Sequence, residues 1–135
     1  MNPLRLGKVA AIERSIVRAR EEFAAAGAGF ASDFTRQDAA ILNILRACEA
    51  ALDLANIVIR ERGLGVPQSS RDSFRLLADA RVVPPELSER LQRMVGFRNI
   101  AVHQYQNLDT AVVAAILRHD LDDLLRYNRM LAALE

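Results

Sequence analysis

The feature that most constrains the fold is an apolar stripe in the second quarter of the chain. Its members alternate four and three positions apart, and they are Ile41, Leu45, Cys48, Leu52, Ala55 and Ile59. This spacing puts them on one face of a long α-helix. The stripe is widened by Leu42, Leu54 and Val58. A face this wide predicts a helix that packs against several others rather than against one.

The rest of the chain shows the same helical periodicity between residues that begin or end helices. Asn2-Pro3 predicts the start of a first helix, and Gly27 with Gly29 predicts its end. Further boundaries are predicted at Thr35 with Asp38, Gly63, Ser69 with Asp72, Pro84-Pro85, and Asn107 or Asp109. Strand-like alternation is not found. The sequence predicts an all-α, up-and-down four-helix bundle with one additional short helix, built by residues 1–135 as a single domain.

Composition agrees with one hydrophobic core and excludes several classes of protein. Apolar residues make up 51% of the 135 residues. No uncharged apolar run is long enough to span a membrane, and charges interrupt the first helix too early for a signal peptide, so we expect a cytoplasmic protein. Cys48 is the only cysteine and is expected in the core. With two histidines beside it, a zinc site built from these side chains is not expected.

Positive charge is concentrated in the middle of the chain. The net charge is +1, which gives no case for binding nucleic acid through overall charge. Residues 58–98, however, carry eight arginines and five acidic residues, a net charge of +3. Guanidinium groups bind phosphate well, so this region is a candidate for guiding a nucleic acid. A general preference for arginine explains it equally well, because Lys8 is the only lysine.

One short segment brings four different polar side chains together. On a helix with about 100° per residue, Arg98, Asn99, His103 and Tyr105 fall within an arc of about 160°. Guanidinium neutralises phosphoryl oxygens, and imidazole moves protons near neutral pH. The amide of Asn99 can orient His103 or a phosphate oxygen, and RNA supplies its own nucleophile. However, one arginine and one histidine also occur together on many exposed helix faces.

The pattern Arg98-x4-His103-x-Tyr105 resembles the R-x4-H-x-Y motif of the HepT-like toxins, which belong to the HEPN group of helical RNases. The resemblance extends through roughly residues 5–130 in the same order. It is most evident in three blocks, residues 39–49, 64–74 and 94–103. It implies a metal-independent RNA endonuclease toxin, without a cofactor, that acts as a homodimer. Arg98 and His103 inherit the catalytic roles, and Asn99 occupies the polar position after the arginine.

The resemblance also implies a protein partner. In this family the antitoxin is a nucleotidyltransferase of the MNT type, which inactivates the toxin by adding AMP to the motif tyrosine, here Tyr105. Gln104 departs from the family, because many relatives are expected to carry an acidic residue there. Two rival functions stay open: a non-catalytic helical partner of a nucleotidyltransferase, with Arg98 and Tyr105 as docking residues, and a structural dimer with a degenerate site.

Other polar residues stand out without belonging to a motif. His119-Asp120 resembles the doublet of metal-dependent phosphohydrolases. The other ligands of such a site are missing, so His119 is expected on the surface. Arg46 and Glu49, on the second helix, are expected to pair with neighbours rather than to support a site.

Overall fold

The structure, a computed structural model, describes residues 2–104 and 107–135, and over these residues it is all-helical. The α-helices are α1 (Pro3–Ala26), α2 (Phe34–Arg62), α3 (Ser70–Asp79), α4 (Pro85–His103), α5 (Thr110–Ala115) and α6 (Leu121–Ala132). A 3-10 helix, Gly27–Ser32, joins α1 to α2, and a π-helical turn, Ile116–Asp120, joins α5 to α6. The all-α prediction is confirmed, while the up-and-down order of four long helices stays a prediction. None of the described helices is long and apolar enough to cross a membrane.

Helix α2 is the central helix of the fold, since it packs against α1, α3, α4 and α6. Most of its predicted stripe is buried, including Ile41, Cys48, Leu52, Leu54, Ala55, Val58 and Ile59. The prediction for Leu42 is wrong, because this side chain is 47% exposed. Leu42 shares a face of α2 with Arg46 and Glu49, four and seven residues later, and that polar face is turned to solvent.

Several predicted helix boundaries are confirmed by their hydrogen bonds. The side chain of Asn2 accepts a bond from the backbone N–H two residues later at 2.8 Å, and Asp109 does the same at 2.8 Å. Ser69 accepts from the N–H three residues later at 3.1 Å. Gly63 ends α2 with a φ of 62°, a left-handed conformation that glycine adopts without strain.

The start of α2 differs from the prediction. The residue that caps it is Asp33, whose carboxylate accepts a hydrogen bond from the backbone N–H of Arg36 at 3.1 Å. Thr35, predicted as the cap, lies inside the helix. An aspartate placed three residues before a free N–H satisfies the helix start directly, so α2 begins at Phe34.

Tyr127 on α6 links three helices in the core. Its side chain is fully buried, and its hydroxyl donates a 2.8 Å hydrogen bond to the carbonyl oxygen of Ala51 on α2. Its ring packs edge-to-face on Phe74 of α3, with centroids 5.7 Å apart. Burial raises the pKa of the Tyr127 phenol well above its usual value, so the group stays a neutral donor.

Removing only the hydroxyl of Tyr127 tests how much this bond contributes. We expect Tyr127→Phe to lower the free energy of unfolding by about 1 kcal/mol, because a buried hydrogen bond is lost while the ring contact with Phe74 remains. Denaturant titration followed by circular dichroism measures the change. Leu124→Ala, which deletes buried atoms and leaves a cavity, provides a reference cost of about 2–5 kcal/mol. A Tyr127→Phe protein as stable as the original would show that the bond contributes nothing net.

Candidate active site

The last turns of α4 carry three of the four predicted site residues, namely Arg98, Asn99 and His103. Asn99 and His103, four residues apart, lie on one side of the helix and are both exposed. The helix ends at His103, and Gln104 leaves the helical conformation with a φ of −134°. The helical arrangement used to compare these side chains therefore holds as far as His103 and ends before Gln104. Tyr105, the predicted AMP acceptor, lies outside the described residues.

Arg98 is the most firmly held of the three. Its side chain is 19% exposed. One terminal nitrogen, Nη1, donates to the carboxylate of Glu49 on α2, and the other, Nη2, donates to the hydroxyl of Ser70 at 3.2 Å. Two neighbouring helices thus orient the guanidinium from different sides. Glu49 pairs with a neighbour, as predicted, but that neighbour is the motif arginine, so Glu49 also supports the site.

Ser70 was not predicted as a site residue. It is the first residue of α3, and its neighbour Ser69 caps that helix. The sequence separates Ser70 from Arg98 by 28 positions, and nothing in their spacing indicates a contact. The packing of α3 against α4 brings them together, supported by the bond from the Ser88 hydroxyl to the carbonyl oxygen of Phe74 at 2.9 Å.

The guanidinium of Arg98 still has donors to offer. A guanidinium carries five N–H groups, and Glu49 and Ser70 each take one. The Nε atom is buried without a partner among the described residues. No other described residue takes the second N–H of Nη1 or of Nη2, and guanidinium N–H groups suit the oxygens of a phosphate. Binding an anion through them would leave the contacts with Glu49 and Ser70 intact.

Cys48 lies next to Glu49 in the sequence but inside the core, as predicted. Burial raises the pKa of its thiol to about 12, and the opposing influence of the Arg98 charge is smaller. A thiol with this pKa is protonated at neutral pH and is a poor nucleophile. Cys48 is therefore a core residue and does not supply the chemistry of the site.

The remaining polar candidates are exposed residues of α2 and of the π-helical turn. His119 is exposed on the π-helical turn, as predicted, and with Asp120 and Phe97 it lines a groove of about 390 Å³ between α4 and the last helical segment. Arg46 is exposed on α2. In the part of the chain that the structure describes, no three or more His, Cys, Asp or Glu side chains form a group that could hold a metal ion.

The family of the chain follows from comparison with known proteins. A family model described as "Ribonuclease HepT-like" matches residues 12–131, which is most of the chain. The chain belongs to the HepT-like ribonuclease family. This confirms the resemblance that was inferred from the motif and the three sequence blocks.

Individual relatives in the HepT-like family match over nearly their full length. An mRNA nuclease HepT from Shewanella oneidensis is 44% identical over 133 residues, covering 98% of this chain and 99% of the relative. A solved tri-AMPylated HEPN toxin of Shewanella oneidensis, in complex with MNT antitoxin, has a TM-score of 0.94 at 43% identity, covering 99% of this chain and 100% of that one. A toxin–antitoxin structure with AMP-PNP has a TM-score of 0.91 at 43% identity, covering 98% and 100%.

Proposed function

We propose that this chain is a cytoplasmic toxin of a toxin–antitoxin pair, and that it cuts RNA inside the strand without a metal ion. The observation that carries the proposal is the placement of Arg98, a guanidinium fixed by Glu49 and Ser70, with further N–H groups that no described residue takes. His103 is exposed about 7.5 Å further along the same helix. The names of the relatives, an mRNA nuclease and a toxin, support the same function.

The proposed reaction uses the nucleophile that RNA carries. The 2′-hydroxyl oxygen attacks the adjacent phosphorus, and the bond from phosphorus to the 5′-oxygen breaks. The products are a 2′,3′-cyclic phosphate and a free 5′-hydroxyl. A base takes the proton from the 2′-hydroxyl, an acid gives one to the leaving 5′-oxygen, and His103 is the group suited to these transfers. Arg98 stabilises the charge that builds on the phosphoryl oxygens, and Asn99 orients the imidazole or the phosphate.

The need for both an acid and a base points to a homodimer. Each chain offers one candidate histidine at the site, His103, so two copies related by a two-fold axis would supply a pair. The end of α4 also exposes two apolar side chains beside the motif, Ile100 at 52% and Val102 at 60%. A contact through residues 95–105 would cover these side chains and form a cleft between the two motifs.

We further propose that an MNT-type nucleotidyltransferase is the antitoxin and that it adds AMP to Tyr105. Tyr105 follows His103 by two positions in the sequence, so a nucleotide attached there enters the region that substrate would use. Its phosphate carries the charge that Arg98 binds and would compete with RNA for it. The tri-AMPylated state of the related toxin, solved with its MNT antitoxin, supports this mode of inactivation.

A second candidate function is a non-catalytic helical partner of a nucleotidyltransferase. It is favoured by the ion pair between Arg98 and Glu49, which neutralises part of the charge that catalysis would use. In that case Arg98 and Tyr105 would be docking residues, and no RNA would be cut. The loss of cleavage expected below for His103→Ala separates the two functions.

Replacing His103 with alanine should reduce RNA cleavage by at least about a hundredfold, because general acid–base transfer contributes that much or more. The melting temperature should stay nearly unchanged, since His103 is exposed at a helix end. Gel assays of purified protein on single-stranded RNA, with and without excess EDTA, measure the activity. His119→Ala removes the other exposed histidine and is the matched control. Cleavage that survives His103→Ala, or that disappears in EDTA, would contradict the proposed mechanism.

Mixing experiments test whether two histidines act together. We expect wild-type chains mixed with an excess of His103→Ala chains to lose activity faster than the wild-type fraction falls, because mixed dimers hold only one functional histidine. Activity is measured after unfolding and refolding the mixture so that the chains exchange. Sedimentation of the same samples reports the oligomeric state. A linear fall in activity, or a fully active monomer, would show that each chain works alone.

Incubation with the nucleotidyltransferase and ATP should add AMP to the wild-type chain and abolish RNA binding. Tyr105→Phe should keep its cleavage activity and escape neutralisation, since the acceptor oxygen is gone. Intact mass spectrometry counts the added nucleotides. Tyr127→Phe is the control, because that buried hydroxyl is inaccessible to the transferase. If Tyr105→Phe is modified as fully as the wild type, another residue is the acceptor.

A further inference from the structure

A second arginine lies against the helix that carries the motif. Arg71 is the second residue of α3, next to the serine that binds Arg98. A methyl group built at Gly96 on α4 would lie 2.6 Å from Nη2 of Arg71 and 3.7 Å from its Cζ. The 2.6 Å distance is shorter than a real contact, so a side chain at residue 96 would require the flexible end of Arg71 to shift. The guanidinium of Arg71 therefore rests on the bare backbone of Gly96.

Gly96 lies in the interior of a helix, where glycine is less favourable than most other residues. It lies inside α4 with ordinary helical backbone, so no left-handed conformation requires a glycine. Glycine in a helix interior is less stable than alanine, because it loses more backbone freedom on folding. What glycine provides at this position is room. The occupant of that room is the guanidinium of Arg71.

The position of this guanidinium relates it to the candidate active site. Gly96 and His103 are seven residues apart, so they lie within about 20° of each other around α4. Asn99 is three residues from Gly96 and belongs to the same side of the helix. Arg71 is therefore on the side of α4 that presents Asn99 and His103. Gly96 precedes His103 by about 10 Å of helix axis, so Arg71 is offset from the phosphate at which His103 would act.

No described residue neutralises the charge of Arg71. Its side chain is exposed and makes no ion pair or hydrogen bond within residues 2–104 and 107–135. Arg75, one turn later on α3, shows the opposite arrangement. It donates to Asp72 at 2.6 Å and to Asp79 at 2.7 Å, which commits its charge to the protein itself.

We propose that Arg71 is an RNA-binding residue, which holds a phosphate next to the one that is cut. The absence of a side chain at Gly96 leaves the space that the guanidinium of Arg71 occupies. The inference rests on the proposed RNA endonuclease function and extends it from one phosphate to two. The substrate is then a strand that runs along α4 from His103 towards Gly96. Arg71 binds the strand and takes no part in the proton transfers.

Three variants test the role of Arg71. In the cleavage assay, Arg71→Ala should raise KM about tenfold and leave kcat nearly unchanged, because a charge-assisted contact to substrate is lost. On the non-cleaving His103→Ala background, the affinity for an end-labelled single-stranded RNA of mixed sequence should fall by the same factor. The slope of log Kd against log salt should become shallower by about 0.7, the loss of one phosphate contact. Arg75→Ala removes the same charge from α3 and should change KM less than about twofold.

Gly96→Ala tests the contact between Arg71 and Gly96 without removing any charge. The added methyl displaces the flexible end of Arg71 and strengthens the helix, so KM should rise while the melting temperature stays the same or rises. Combined with Arg71→Ala, it should add no further loss, because both changes remove the same contact. A merely structural role would not produce opposite effects on binding and stability.

The outcomes distinguish this inference from the function on which it depends. If the wild-type chain cleaves RNA and Arg71→Ala behaves like Arg75→Ala, the role assigned to Arg71 is wrong and the nuclease function stands. If Gly96→Ala leaves KM unchanged while Arg71→Ala raises it, the role assigned to Gly96 is wrong and Arg71 binds RNA from another position. If the wild-type chain neither binds nor cleaves RNA, the proposed function and this inference both fail.

Discussion

The burial of α2 among four other helices is the constraint on which the rest of the structure depends. A helix that contacts α1, α3, α4 and α6 fixes the relative positions of elements that do not follow one another in sequence. Its buried face builds the core, and its exposed face carries Glu49, which pairs with Arg98. Helix α2 thus stabilises the fold through its buried face and orients Arg98 through Glu49. A shift of α2 by one residue would turn Glu49 away from α4 and leave Arg98 without its carboxylate.

The parts of the fold that follow local rules could be predicted from the sequence. Helical periodicity predicted α2. The caps at Asn2, Ser69 and Gly63 were also predicted correctly, because each depends on two or three neighbouring residues. Leu42 was misjudged, because its apolar nature did not reveal that its face of α2 is uncovered. The π-helical turn at Ile116–Asp120 was missed, since the apolar spacing there also fits an ordinary helix.

The candidate site shows the same division. Arg98, Asn99 and His103 stand close together in sequence, so a motif was enough to propose them as site residues. The contacts of Arg98 with Glu49 and Ser70, and of Arg71 with Gly96, join residues 25 or more positions apart on different helices. Such contacts depend on how the helices pack, which local patterns do not specify. The free-energy cost of dehydrating Arg98 and Glu49 also depends on that packing. The ion pair therefore orients the side chain of Arg98, but it does not by itself make the folded state more stable.

The end of α4 at His103 has an electrostatic consequence. Aligned peptide dipoles place about half a negative charge at the carboxyl end of a helix. The site residues stand in these last turns, so an anionic strand that approaches them is repelled by the helix that presents them. Arg98 compensates for this repulsion in part, because Glu49 neutralises part of its charge. Further attraction for an anionic strand would come from cations on other helices or on a second subunit. A motif in the first turns of a helix would instead lie at the positive end of the peptide dipoles, which attracts an anionic strand.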